Sequence, residues 1–314
     1  MPKPAYRPAI IMAISFLVAQ FLALLIIPLY PEEYRAFGDP NNVMNPIYYV
    51  VIVLIMTAVM LFLAKKGLEV LIQWFMIASV WGTIVFVMYP VIYTILPYFP
   101  YILGFTDIPM ILSVILATLV SGALYIKPEW YVIDIAGVIM GAGIIAVLGL
   151  SFGILPTIIL LIVMAVYDFI SVYRTKHMLD LADAVLETKL PIVMVAPKEK
   201  NYSFVDDTIK IRKEDRGSSG ERDAMFMGLG DIIIPGILPA SVFLNSGAPM
   251  DIAFGMATFS IIGAFMGYLL LLHFVFKGKA HAGLPPLNTG AILGYMIGAI
   301  ILTGNPIFGM VFGW

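Results

Sequence analysis

The sequence predicts an all-α integral membrane protein with nine transmembrane helices, and three observations carry that expectation. Of its 314 residues, 61% are hydrophobic and only 12% charged, at a mean hydropathy of +0.99. An ordinary soluble domain carries about 25% charged residues. The apolar residues fall into nine runs of bilayer length, about 20 residues each, and the lysines and arginines gather in alternate connections between them.

The first run, 9–29, follows Lys3 and Arg7 in the manner of a signal peptide. It is too long for one and has no small-x-small cleavage site, so it reads as span one. Further spans follow at 45–63, 68–96, 109–126, 130–150, 154–173, 225–244, 253–276 and 284–308. The chain thus divides into a membrane region at 1–173 with spans one to six, a hydrophilic loop at 174–224, and a membrane region at 225–314 with spans seven to nine. The 27 glycines and 21 prolines fit this reading, because membrane helices tolerate both better than soluble ones do.

Nine spans place the termini on opposite sides. A cytoplasmic N terminus puts Lys3, Arg7, Lys65, Lys66, Lys127, Lys277, Lys279 and the ten basic residues from Arg174 to Arg222 inside, with Arg35 alone outside. The expected location is therefore a multi-pass cell membrane protein with the loop at 174–224 in the cytoplasm. That loop contains an amphipathic run at 177–188, two strand-like runs at 191–195 and 202–211, and a polar linker at 216–222. It serves either as a tether or as a cover and docking edge for a site. Small residues four apart, such as Gly137 and Gly141, Gly149 and Gly153, Gly263 and Gly267, and Gly290, Gly294 and Gly298, suit close helix packing.

Several chemistries are excluded or disfavoured. The chain has no cysteine, hence no thiolate nucleophile or thiolate metal site. Its three histidines, His177, His273 and His281, are too scattered for a metal cluster. A net charge of −2 offers no basic surface for nucleic acid. No cofactor or metal is implied.

Function is carried by acidic residues inside the spans. A carboxylate at mid-membrane costs about 2.5 to 3.5 kcal/mol on insertion scales, and Asp134, Asp168 and Asp231 all lie within spans that hold no lysine or arginine to pair with them. Asp168 is six residues before Arg174, and Asp231 six after Met225, where span seven is expected to begin. At 1.5 Å per residue each lies about 9 Å inside the cytoplasmic boundary. The two antiparallel helices bring them to one level. Two carboxylates in reach of each other share one proton, which is the state that peptide hydrolysis by water requires. Asp134 reads either as a hydrogen-bonded structural group or as a contributor to the proton balance of the site.

Asp231 closes Gly228-Leu229-Gly230-Asp231, whose glycines open space beside the carboxylate. Pro235, Gly236 and Pro239 make span seven irregular, which survives at that depth only where backbone lines a cavity or is buried in protein. Pro285-Pro286-Leu287 opens span nine. It reads either as a proline-tolerant first helical turn or as an extended segment that holds substrate in strand form.

Together these residues resemble the presenilin and signal-peptide-peptidase family of intramembrane aspartyl proteases, in particular its archaeal presenilin homologues. The family pattern is Tyr-Asp in span six, Gly-x-Gly-Asp in span seven and Pro-Ala-Leu at span nine. This chain has Tyr167-Asp168, Gly228-Leu229-Gly230-Asp231 and Pro285-Pro286-Leu287, with Pro286 where alanine is usual. The resemblance implies an aspartic endopeptidase with Asp168 and Asp231 as its catalytic pair. It implies that Tyr167, Gly228, Leu229, Gly230, Pro285, Pro286 and Leu287 shape the site, that the substrates are single-span membrane proteins or peptides in the bilayer, and that a second copy of the chain is an admissible partner. The competing reading is a secondary transporter or cation leak pathway using the same aspartates.

Overall fold

The computed structural model describes residues 6–96, 101–102, 106–175, 193–199, 202, 224–276 and 281–310. Nine long helices stand among them: α1 (Tyr6–Ile26), α2 (Asn45–Lys65), α3 (Glu69–Ile95), α4 (Ile108–Ile126), α5 (Trp130–Ser151), α6 (Ile154–Ile170), α7 (Gly230–Asn245), α8 (Met250–Val275) and α9 (Leu284–Thr303). Seven of these are long and apolar enough to cross a membrane. The apolar stretch of α2, Asn45–Met60, and the whole of α7 are shorter. Large apolar side chains lie exposed along the outer helices, among them Phe62, Trp74, Leu119, Ile126 and Ile262. So much uncovered apolar surface suits lipid and not water.

Helix α7 is short and enclosed by other helices over most of its length. Every residue from Ile232 to Val242 is buried, and α1, α5, α6, α8 and α9 all pack around it. Its far end is pinned to α5, where Ser241 Oγ donates to the Phe152 carbonyl at 2.8 Å and Asn245 Nδ2 to the carbonyls of Gly149 and Phe152 at 3.1 and 3.0 Å. The glycine pairs do the packing expected of them. A Cβ on Gly149 would overlap Ala240, one on Gly263 the Gly290 carbonyl, and one on Gly294 the Phe259 carbonyl. Consequently α8 and α9 meet backbone to backbone, the most extensive helix contact in the fold.

Two short antiparallel ladders complete the architecture. β1 (Tyr101–Ile102) pairs with β2 (Thr106–Asp107), and β3 (Val193–Pro197) with β4 (Ala224–Gly228), with Val193 opposite Gly228 and Pro197 opposite Ala224. This corrects two expectations. Span seven does not start as a helix at Met225: Ala224–Gly228 is a strand, and the helix begins at Gly230. The strand-like run at 191–195 is realised as β3, whereas Tyr202 is not in a strand and the rest of 202–211 lies outside the described residues, as do the runs at 177–188 and 216–222. β3 packs on both α1 and α5, and Met194, Val195 and Ala196 are buried there.

Candidate active site

Helix α6 buries one stripe, Ile154, Thr157, Leu161, Met164 and Asp168, at the three- and four-residue spacing of a helix face. That stripe delivers Asp168 to the interior, where it is 4% exposed. The helix ends two residues later in a wide π turn, Ser171–Thr175, an irregularity that occurs often at functional sites. Asp231 arrives from the other side, in the first turn of α7 directly after β4.

The two carboxylates converge on one peptide unit at the start of α9. The Leu284 N–H donates to Asp168 Oδ2 at 3.0 Å. The preceding residue faces Asp231: a Cβ on Gly283 would stand 3.1 Å from Asp231 Oδ2 and 3.2 Å from Oδ1. The carboxylates are close enough to interact electrostatically. Among the described residues no cation pairs with either of them, since the one ion pair there joins Arg35 to Glu32.

Their depth follows from α1. Arg7 Nη1 reaches the Lys198 carbonyl beyond β3, and Gln20 Cγ lies 3.5 Å from where a Cβ on Gly236 would stand. β4 and α7 therefore run parallel to α1. Asp231, five residues before Gly236, sits about 13 Å along α1 from its first turn.

The remaining site residues divide clearly. The Leu229 side chain is buried against α5, 3.7 Å and 3.5 Å from where Cβ atoms on Gly137 and Gly141 would stand, which anchors the turn into α7. A Cβ on Gly228 would meet Asp231 Oδ2 at 3.6 Å, while Gly230 has nothing within 4 Å. Gly230 thus borders open space one residue before the carboxylate. Tyr167 is 43% exposed, off the buried face of its helix. Leu287 is fully buried, and Pro285 and Pro286 lie in the first turn of α9, so the extended form of this segment is not the one adopted. Proline suits that turn because its missing N–H has no helical partner there. The turn is held from behind by α8, since a Cβ on Gly267 would overlap the Pro286 carbonyl.

Three residues near the dyad were not singled out from sequence. Gly283 is one. Asn288, 1% exposed and one turn beyond Leu284, donates from Nδ2 to the Leu161 carbonyl at 2.8 Å, a second pin between α9 and α6. His281 stacks on Phe274 with ring centroids 4.8 Å apart and meets Tyr173 edge-on at 6.4 Å, which fixes the approach to Gly283. Asp134 lies apart from the pair: buried on α5, its Oδ1 accepts from the Val195 N–H at 2.8 Å and fastens β3 to the helix. His273 lines an apolar groove between α1 and α8 with Tyr6, Tyr268 and Phe276.

The chain matches a family model described as signal-peptide peptidase, presenilin aspartyl protease, over residues 12–304. Two solved structures of a presenilin family intramembrane aspartate protease are similar to it. The one in a C222 crystal form is 32% identical, covers 94% of this chain and 99% of the other, and has a TM-score of 0.67. The one in a P2 form is 31% identical, covers 92% and 96%, and has a TM-score of 0.63. Comparison with curated proteins finds no match.

Proposed function

This chain belongs to the signal-peptide peptidase and presenilin family of aspartyl proteases, and on that premise we propose that Asp168 and Asp231 are its catalytic pair. It is an intramembrane aspartyl protease; the transport reading finds no support among proteins that are all proteases. The observation that carries the residue assignment is the convergence of both carboxylates on the Gly283–Leu284 peptide, one accepting its N–H and the other facing its glycine.

A pair sharing one proton does the chemistry as follows. The ionised aspartate takes a proton from a water lying between the two, and the protonated one donates to the scissile carbonyl oxygen. The water oxygen bonds to the carbonyl carbon, giving a tetrahedral diol. The C–N bond then breaks as the nitrogen receives a proton, leaving a carboxylic acid and an amine. The Leu284 N–H holds Asp168 Oδ2 as an acceptor and fixes the carboxylate in place for the water. The open face at Gly230 admits the substrate backbone.

The substrates are single-span membrane proteins or peptides, unwound locally because a helical peptide bond is shielded and already hydrogen-bonded. β4 leads straight into Gly228 and pairs on one edge with β3; its other edge has no strand partner among the described residues and receives the unwound segment by strand addition. Tyr167 and the Pro285–Leu287 turn shape the flanks of that groove. The N terminus and the loop at 174–224 face the cytoplasm, in keeping with the distribution of basic residues, and the C terminus lies on the opposite side.

A peptide in which a hydroxyl-bearing carbon replaces the scissile carbonyl tests this assignment, because it mimics the diol. It should block cleavage and be retained by the parent protein, with at least tenfold weaker retention by Asp168→Asn and by Asp231→Asn, on the order of one hydrogen bond to a charged group. Equal retention by all three proteins would remove these residues from the catalytic site.

A further inference from the structure

Gln20 is a buried amide that no group among the described residues satisfies. It lies fourteen residues into α1, about 21 Å along the helix, and is 1% exposed. Neither its Oε1 nor its Nε2 has a hydrogen-bond partner among the described residues. Its side chain is wedged between three helices, since a Cβ on Gly236 of α7 would meet both Gln20 Cγ at 3.5 Å and Ile145 Cδ1 of α5 at 2.7 Å. A buried amide in hydrocarbon surroundings does not stay unpaired.

The same stretch of α7 supplies the complementary need. Pro235 and Pro239 lie inside the helix, on either side of Gly236. Neither has an N–H to donate, so the carbonyls of Asp231 and Pro235, four residues earlier, lose their helical donors. The groups that the two prolines leave over are therefore acceptors. The Nε2 of Gln20 could serve one of them directly, but Oε1 is an acceptor too, and the remaining interior N–H groups of these helices belong to their own ladders. The missing partner must donate twice.

We propose that Gln20 holds an internal water at mid-membrane, which donates to Gln20 Oε1 and to a carbonyl freed by Pro235 or Pro239. The water lets the helix that carries Asp231 stay irregular without leaving bare backbone in the protein core. Its site is independent of which carboxylates perform the hydrolysis.

X-ray radiolytic labelling of the full-length protein in detergent micelles tests this, because hydroxyl radicals born from a bound water oxidise the side chains around it. Phe16, Ile145 and Ile237, each no more than 1% exposed, should be oxidised in the parent protein, and the oxygen should come from water that exchanges slowly with added H2(18)O. The signal should fall to background in Gln20→Leu and Gln20→Met, which keep the size of the side chain and remove its polar atoms. An unlabelled parent overturns the proposal without recourse to the variants. Labelling that persists in either folded variant overturns it as well, since the water would then not be held by Gln20.

Discussion

Gly283 faces the carboxylate of Asp231 so closely that a Cβ there would stand 3.1 Å from Oδ2 and 3.2 Å from Oδ1. The next amide is already bonded to Asp168. Glycine is needed here for its missing side chain and not for its backbone, whose φ of −79° any residue adopts. Gly283→Ala should therefore fold normally yet lose kcat severalfold or more, since the carboxylate must give by a few tenths of an ångström and a full ångström of misplacement costs roughly a hundredfold. Thermal unfolding beside steady-state cleavage separates the two effects; an active Gly283→Ala protein would mean that the peptide does not sit between the carboxylates.

Gly267 supports the same segment from α8, where a Cβ would overlap the Pro286 carbonyl and stand 3.0 Å from Leu287 Cα. Backbone cannot give way as a flexible side chain can, so Gly267→Ala should cost about 1 to 3 kcal/mol of stability and lower cleavage with it. Gly122, inside α4 with nothing within 4 Å of a Cβ, is the control. Gly122→Ala should be neutral or stabilising by up to about 1 kcal/mol. Equal melting shifts for both variants would contradict the packing account.

Asn288 ties α9 to α6 one turn beyond the dyad through its bond to the Leu161 carbonyl. Asn288→Leu keeps the branched shape and removes the pin. About 1 kcal/mol of stability should go with the hydrogen bond, and kcat should fall more than KM rises, since the lost pin sets the placement of Leu284 against Asp168 and not the substrate groove. A rise in KM alone would assign Asn288 to substrate binding instead.

Asp134 is the useful contrast among the intramembrane acids. Its Oδ1 accepts from the Val195 amide, and an asparagine oxygen can do the same. Asp134→Asn should retain cleavage within a few-fold, whereas Asp134→Leu should leave the Val195 N–H unpaired, costing about 1 to 3 kcal/mol and loosening β3 from α5. Abolished cleavage in a stable Asp134→Asn protein would bring Asp134 into the proton chemistry.

Much of this was legible beforehand, for identifiable reasons. Hydropathy marked the outer helices because lipid contact demands continuous apolar runs, and α7 because the protein core around it is as apolar as lipid. Asp168 and Asp231 announced themselves because a carboxylate inside such a run needs a cause. The start of α7 was misplaced because Met225, Phe226 and Met227 are as apolar in a buried strand as in a helix, and so short a run has no periodicity to tell them apart. Gly283 and Asn288 carry no signal in one dimension: a glycine matters only once Asp231 stands opposite it, and an asparagine only once α9 lies against the Leu161 carbonyl. The Pro285–Pro286 segment was legible as an element of the site but not in its conformation, since proline suits both a first helical turn and an extended chain.

The most direct test of the central claim is cleavage of a single-span membrane peptide by the purified, detergent-solubilised protein, with Asp168→Asn and Asp231→Asn prepared alongside and shown to unfold at the parent's temperature. The account predicts products from the parent and none from either variant, because asparagine can neither take the proton from water nor share one with its partner. Cleavage retained at the parent's rate by either variant would contradict it.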